Sequence, residues 1–80
     1  MNATIKLDYP VTIDSGEISE LNLRRPKVKD MRDAEKAGTG DADRELALFA
    51  RLTGLNPEDL EQLDLKDYQK LQKEYSGFLS

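Results

Sequence analysis

The chain of 80 residues contains no cysteine and no histidine. Without cysteine there is no disulfide framework, and an intracellular setting is the default expectation. Losing both residue types also removes the most common general base, the most common metal ligand and the best nucleophile together. Ser15, Ser19, Ser76 and Ser80 therefore have no histidine to activate them, and no serine–lysine motif is present. No run approaches the roughly 18–20 apolar residues of a membrane span. Met1-Asn2-Ala3-Thr4 has neither the basic start nor the apolar core of a signal peptide. A phosphate loop is missing too, since Gly38-Thr39-Gly40 lacks the further glycine and the lysine of the known patterns. Net charge is −4, whereas a surface built for phosphate contacts has to be basic. The reading is of a protein that is not an enzyme, binds no nucleic acid and no membrane, and needs no cofactor or metal.

Carboxylates, by contrast, are plentiful. Asp41, Asp43 and Glu45 alternate as at the start of a calcium loop, but Leu46 stands where such a loop needs glycine and Leu52 where it needs its closing glutamate. Capping and helix-dipole placement account for these acids better. Charge is also uneven: Arg24, Arg25, Lys27 and Lys29 crowd one stretch, and Glu58, Asp59, Glu61, Asp64 and Asp67 another. The first reading is two solvated faces, or an attraction within or between chains; a basic site for an acidic partner comes second.

Composition is 38% hydrophobic and 35% charged, that of a globular chain, and the length allows one domain, 1–80, with a β-hairpin over 1–25 and a helical part over 26–80. Ile5 and Leu7 alternate with polar residues until Tyr9-Pro10 interrupts them, so the first strand is expected in two pieces. Val11 and Ile13 lead into the turn signal Asp14-Ser15-Gly16. On the return, Leu21 and Leu23 share a face with which Ile18 is out of phase, predicting a bulge near Ser19-Glu20. Pro26 ends the strand, and Val28, Met31, Ala34 and Ala37 predict a helix with a thin apolar stripe, ending at a capping and flexible joint, Gly38-Thr39-Gly40. Asp41 is the expected N-cap of a second, most buried helix carrying Leu46, Leu48, Phe49, Ala50, Leu52 and Thr53, with Gly54 as C-cap. Asn56-Pro57-Glu58-Asp59 starts a short third helix. Asp64 caps a last one carrying Leu65, Tyr68, Leu71, Tyr75 and Phe78. The fold class is α+β: an N-terminal β-hairpin followed by about four short helices in a small domain.

Some features suit binding. The hairpin has open edges that could accept a strand or another subunit, so self-association through them is one expectation. The last helix carries Tyr68, Tyr75 and Phe78, three of the five aromatics, which either complete the core or meet a partner. The Gly77-Phe78-Leu79-Ser80 tail is either clamped onto the core or presented outward.

The order Tyr9-Pro10-Val11-Thr12-Ile13, a short turn, Leu21-Asn22-Leu23-Arg24-Arg25-Pro26 and Asp30 resembles the opening of the small tail assembly chaperones of Mu-like phages, prophages and their contractile-tailed relatives. The resemblance continues through Glu45-Leu46-Ala47-Leu48-Phe49-Ala50-Arg51-Leu52-Thr53-Gly54-Leu55, Pro57-Glu58-Asp59-Leu60 and Leu63-Asp64-Leu65-Lys66-Asp67-Tyr68 to Gly77-Phe78-Leu79, covering nearly the whole chain in order. Lys27 departs from a good pattern, because serine, threonine or aspartate would cap the following helix more crisply. The resemblance implies a non-catalytic assembly factor that binds the tape measure protein, keeps its apolar segments from aggregating and helps recruit tail tube subunits. It would work in the host bacterial cytoplasm and be absent from the mature virion. In related phages a longer product arises by frameshift, and this chain is similar to the short one. The family carries no catalytic motif to transfer. Tyr68, Leu71, Tyr75, Phe78 and Leu79 are the expected partner-binding residues, and truncating Phe78 and Leu79 is expected to weaken client binding with the fold intact. The alternatives are a small structural virion component and an acidic regulatory adaptor; the adaptor, if it read DNA, would need a basic helix, and the basic residues lie mostly ahead of one.

Overall fold

A computed structural model describes residues 2–38 and 40–80; Met1 and Thr39, part of the readings of the chain's start and of the Gly38-Thr39-Gly40 joint, lie outside the described residues. Strands β1 (Asn2–Ile13) and β2 (Gly16–Arg24) pair antiparallel, and helices α1 (Val28–Glu35), α2 (Asp41–Thr53), α3 (Pro57–Leu60) and α4 (Leu65–Phe78) follow, which is the expected α+β order. Asp14 and Ser15 make a two-residue turn closed by Gly16 at φ +122°, a backbone conformation that side chains beyond hydrogen disfavour.

The ladder explains the phase break in the second strand. Lys6 pairs with Glu20 and Val11 with Ile18, so residues 7–10 of β1 stand opposite Ser19 alone. The irregularity falls beside Ser19-Glu20 as expected, but the extra residues belong to the first strand, which remains one element rather than two. Pro10 has no N–H to give to a ladder, so this is the place where β1 can leave β2 at least cost. One face of the hairpin then presents Ile5, Leu7, Leu21 and Leu23, all buried, and Val11 and Ile18 pack at its margin.

Phe49, Ala50 and Leu52 of α2, Leu60 of α3 and Leu71 of α4 close over that face. Both α1 and α3 pack against α2, α2 also lies on β2, and α4 lies on β1. Helix α1 contributes Ala34, while Val28 and Met31 of its stripe stay largely exposed. Its start is sharper than Lys27 alone would make it, because the Lys27 N–H donates to Asp30 Oδ2 at 2.9 Å. The N-cap of α2 is Gly40 rather than Asp41, which becomes the first helical residue with its charge at the positive helix end. Gly54 ends α2 in the left-handed region at φ +76°, as its place after the last apolar turn predicts. Asn56 caps α3 with Pro57 first in the helix, and Asp64 caps α4 by accepting from the Lys66 N–H at 2.9 Å. Gly38 is held tightly: a Cβ there would stand 2.8 Å from the Asp43 Cβ.

Candidate docking surface

Helix α4 reaches back across the chain and fastens itself to the irregular part of β1. Asp67, fully buried, accepts from the Asp8 N–H at 2.9 Å and the Tyr9 N–H at 3.0 Å, amides whose segment has left the β2 ladder. One turn on, Lys70 donates to the Lys6 carbonyl at 3.1 Å and pairs with Asp8 at 2.9 Å, and Lys66 pairs with Asp8 at 3.1 Å. These two ammonium groups, Lys70 foremost, lower the Asp8 carboxyl below its ordinary range. Below them Leu71 is wholly buried, and Phe78 is half-buried with the Arg25 guanidinium 5.8 Å above its ring. Positions 67, 71 and 78 therefore form the inward face of α4.

The neighbouring face, at 65, 68, 72, 75 and 79, follows the same steps of three and four along the helix. Its positions 65, 68, 72 and 75 border an open trough made of two grooves that share Glu45. Helices α2 and α4 are bridged by aromatic rings: Phe49 meets Tyr68 edge-on at 5.7 Å and Tyr75 at 5.4 Å. Towards α3 the trough widens into a groove of about 470 Å³ walled by Leu46, Leu60, Leu63, Leu65 and Tyr68. Towards α1 a second groove of about 220 Å³ is walled by Met31, Ala34, Leu48 and Tyr75. Glu45 lines both. Its Oε1 accepts from the Tyr68 hydroxyl at 2.7 Å and from Gln72 Nε2 at 2.9 Å. Burial first, and then this carboxylate, push the Tyr68 hydroxyl well above its ordinary range.

The residues expected to meet a partner are thus divided between two faces. Tyr68 and Tyr75 line the trough, each with one side on Phe49. Leu79 extends the same stripe and is 65% exposed. Leu71, one of those residues, is 0% exposed and packs in the core, and Phe78 is held between the core and Arg25. Leu65, the first residue of the last helix, is 69% exposed on the trough rim. Glu45, Leu46, Leu63 and Met31 join the surface without having been singled out for it; the available signal, for Leu46, was that α2 carries a wider apolar stripe than one core face needs.

The uneven charge resolves locally. Arg24 forks onto Asp30 at 2.8 and 2.7 Å, Arg51 adds a contact at 3.2 Å, and Asp30 is buried beneath them. The Arg24 bonds, against the cost of burial, hold the Asp30 carboxyl far below the usual carboxylate range. Lys29 pairs with Asp33 at 3.1 Å. In the acidic stretch Asp64 caps a helix and Asp67 is buried, so these charges build structure where they stand. Asp41, Asp43 and Glu45 lie on a helix rather than a loop, and among the described residues no group of three or more acids is placed to hold a metal. No helix among the described residues is long and apolar enough to cross a membrane.

Compared with known proteins, residues 4–80 match the family model described as phage tail assembly chaperone proteins, E, or 41 or 14. No curated protein and no solved structure matches the chain.

Proposed function

The chain belongs to the phage tail assembly chaperone family, and on that premise we propose that it holds an apolar helical segment of the tape measure protein in the trough between α2 and α4. In doing so it keeps the tape measure protein soluble and helps recruit tail tube subunits while the tail is built. It acts in the host bacterial cytoplasm and leaves before the virion is complete. The observation that carries this reading is the pair of apolar-walled grooves beside α4, about 470 and 220 Å³, which share Glu45 and are walled by the Tyr68 and Tyr75 rings that meet Phe49. Helix-in-groove recognition uses that shape, with anchors of the incoming helix spaced along one stripe. Leu65, Tyr68 and Tyr75 of α4 and Leu79 just beyond it are the contacts, faced by Leu46 and Leu48 of α2. The excess of acids over bases, net −4, keeps chaperone–client complexes apart by mutual repulsion.

Co-expression with the tape measure protein encoded beside it tests the proposal. The tape measure protein is expected to stay soluble and to copurify only when this chain is present. Leu65→Glu, on the exposed rim, is expected to cut recovery about tenfold, as burying an unpaired charge in an apolar contact costs well over 1 kcal/mol. A tape measure protein that is soluble alone, or never copurifies, defeats the reading. Finding the chain in purified virions favours a structural component instead.

A further inference from the structure

We infer that Glu45 sets the specificity of the trough, selecting a helix whose apolar stripe is interrupted midway by a lysine or arginine. The inference rests on the docking reading above and adds the chemistry of the partner. Glu45 is the residue common to the two grooves, each of which is otherwise walled largely by apolar side chains. Both of its donors, Tyr68 and Gln72, come from α4 and both use Oε1. Oε2 accepts from none of the described residues, and it is not sealed from solvent. The carboxylate is therefore held through one oxygen while the other stays open to solvent beside the grooves.

Covering that oxygen with a continuous apolar stripe would bury a charged acceptor without a partner, which is among the most costly arrangements an interface can hold. Covering it with a lysine or arginine would turn the same group into a charge-assisted bond in a surround shielded from water. One residue thus both rewards the right helix and penalises the wrong one, which is how specificity exceeds affinity. The other acids of the two grooves, Glu61 and Glu35, lie one in each groove and add a weaker preference for basic flanks. The cation among the lining residues, Arg44, is tied to Asp41 at 3.4 Å.

Two synthetic amphipathic helical peptides of identical composition separate this from simple apolar docking. In the first, a lysine sits at the centre of a leucine stripe and a leucine sits on the outer face; in the second the two are exchanged, giving an unbroken apolar stripe. Net charge is the same, so attraction to the acidic surface cancels. The first peptide is expected to bind about tenfold more tightly, the effect of roughly 1.4 kcal/mol. With Glu45→Gln, which keeps an acceptor for Tyr68, the order is expected to reverse, and the variant's urea midpoint checks that the fold is retained. If the unbroken stripe binds the unaltered protein equally well or better, Glu45 is not the determinant, although the trough still docks helices. If neither peptide binds at millimolar concentration, this inference and the docking reading fall together.

Discussion

Two aspartates carry much of what distinguishes this chain from a generic hairpin with helices. Asp67 answers two backbone N–H groups that the irregular part of β1 takes away from β2, at 2.9 and 3.0 Å. Such charge-assisted bonds are worth about 1.5–3 kcal/mol each, and an amide left unpaired in their place costs a similar amount. Asp67→Ala is therefore expected to destabilise the domain by about 3 kcal/mol, read as a lower urea midpoint, and Asp67→Asn, which retains one acceptor oxygen, by about half that. Equal midpoints for the alanine variant and the unaltered protein would mean that water serves those amides as well. Nothing local reveals this role. Asp67 sits in the first turn of α4 among other acids, where helix-dipole placement explains it adequately, and its partners are 58 and 59 residues away. The Asp30 site was half visible: the basic run beside it was plain, but that Arg24 turns inward while Arg25 covers a ring depends on the backbone path through Pro26.

Helix boundaries were the most legible level, since they are written in short-range chemistry: Asn56 before Pro57, Asp64 ahead of Leu65, and Gly54 after the last apolar turn of α2 all mark ends correctly. The start of α2 was misplaced by one residue because glycine also serves as an N-cap and a nearby aspartate looks the better choice. The faces of α4 were not legible. Tyr68, Leu71, Tyr75 and Phe78 fall on one broad stripe, and periodicity cannot say that β1 takes one edge of it while the trough takes the other. Packing separates them, and it gives Phe78 and Leu79 different fates where one shared role was expected. Phe78→Ala is expected to destabilise by about 2 kcal/mol, below the 3–5 kcal/mol of a fully buried ring because Phe78 is only half-buried. Leu79→Ala, at an exposed position, is expected to shift stability by less than about 0.5 kcal/mol while weakening tape measure recovery. Thermal unfolding read beside copurification checks both; a Leu79→Ala variant that unfolds early would place that residue in the core.

Across the whole molecule, carboxyl groups held below their ordinary range tie stability to pH. Asp8, Asp30 and Asp33 are all lowered, by Lys70 and Lys66, by Arg24 and by Lys29 respectively. Their stabilising effect is complete above the unfolded value of about 3.9 and is lost as pH falls through the lower folded values, since the unfolded chain then takes up protons first. Urea midpoints are expected to hold from neutrality to about pH 5 and to fall steadily below it, and Asp30→Asn is expected to flatten that slope while lowering the plateau. A slope unchanged in Asp30→Asn would assign the acid limb to other groups. The exposed pairs of Asp8 and Asp33 make smaller contributions, being screened by water and salt.

The bonds from Asp67 to the Asp8 and Tyr9 amides also join two distant parts of the chain in a single latch. The helix they fasten to β1 is the one whose Tyr68 and Tyr75 rings meet Phe49 of α2. The irregular stretch of the first strand and the aromatic wall of the last helix therefore stand or fall together, so a lesion at either end of the latch is felt at the other.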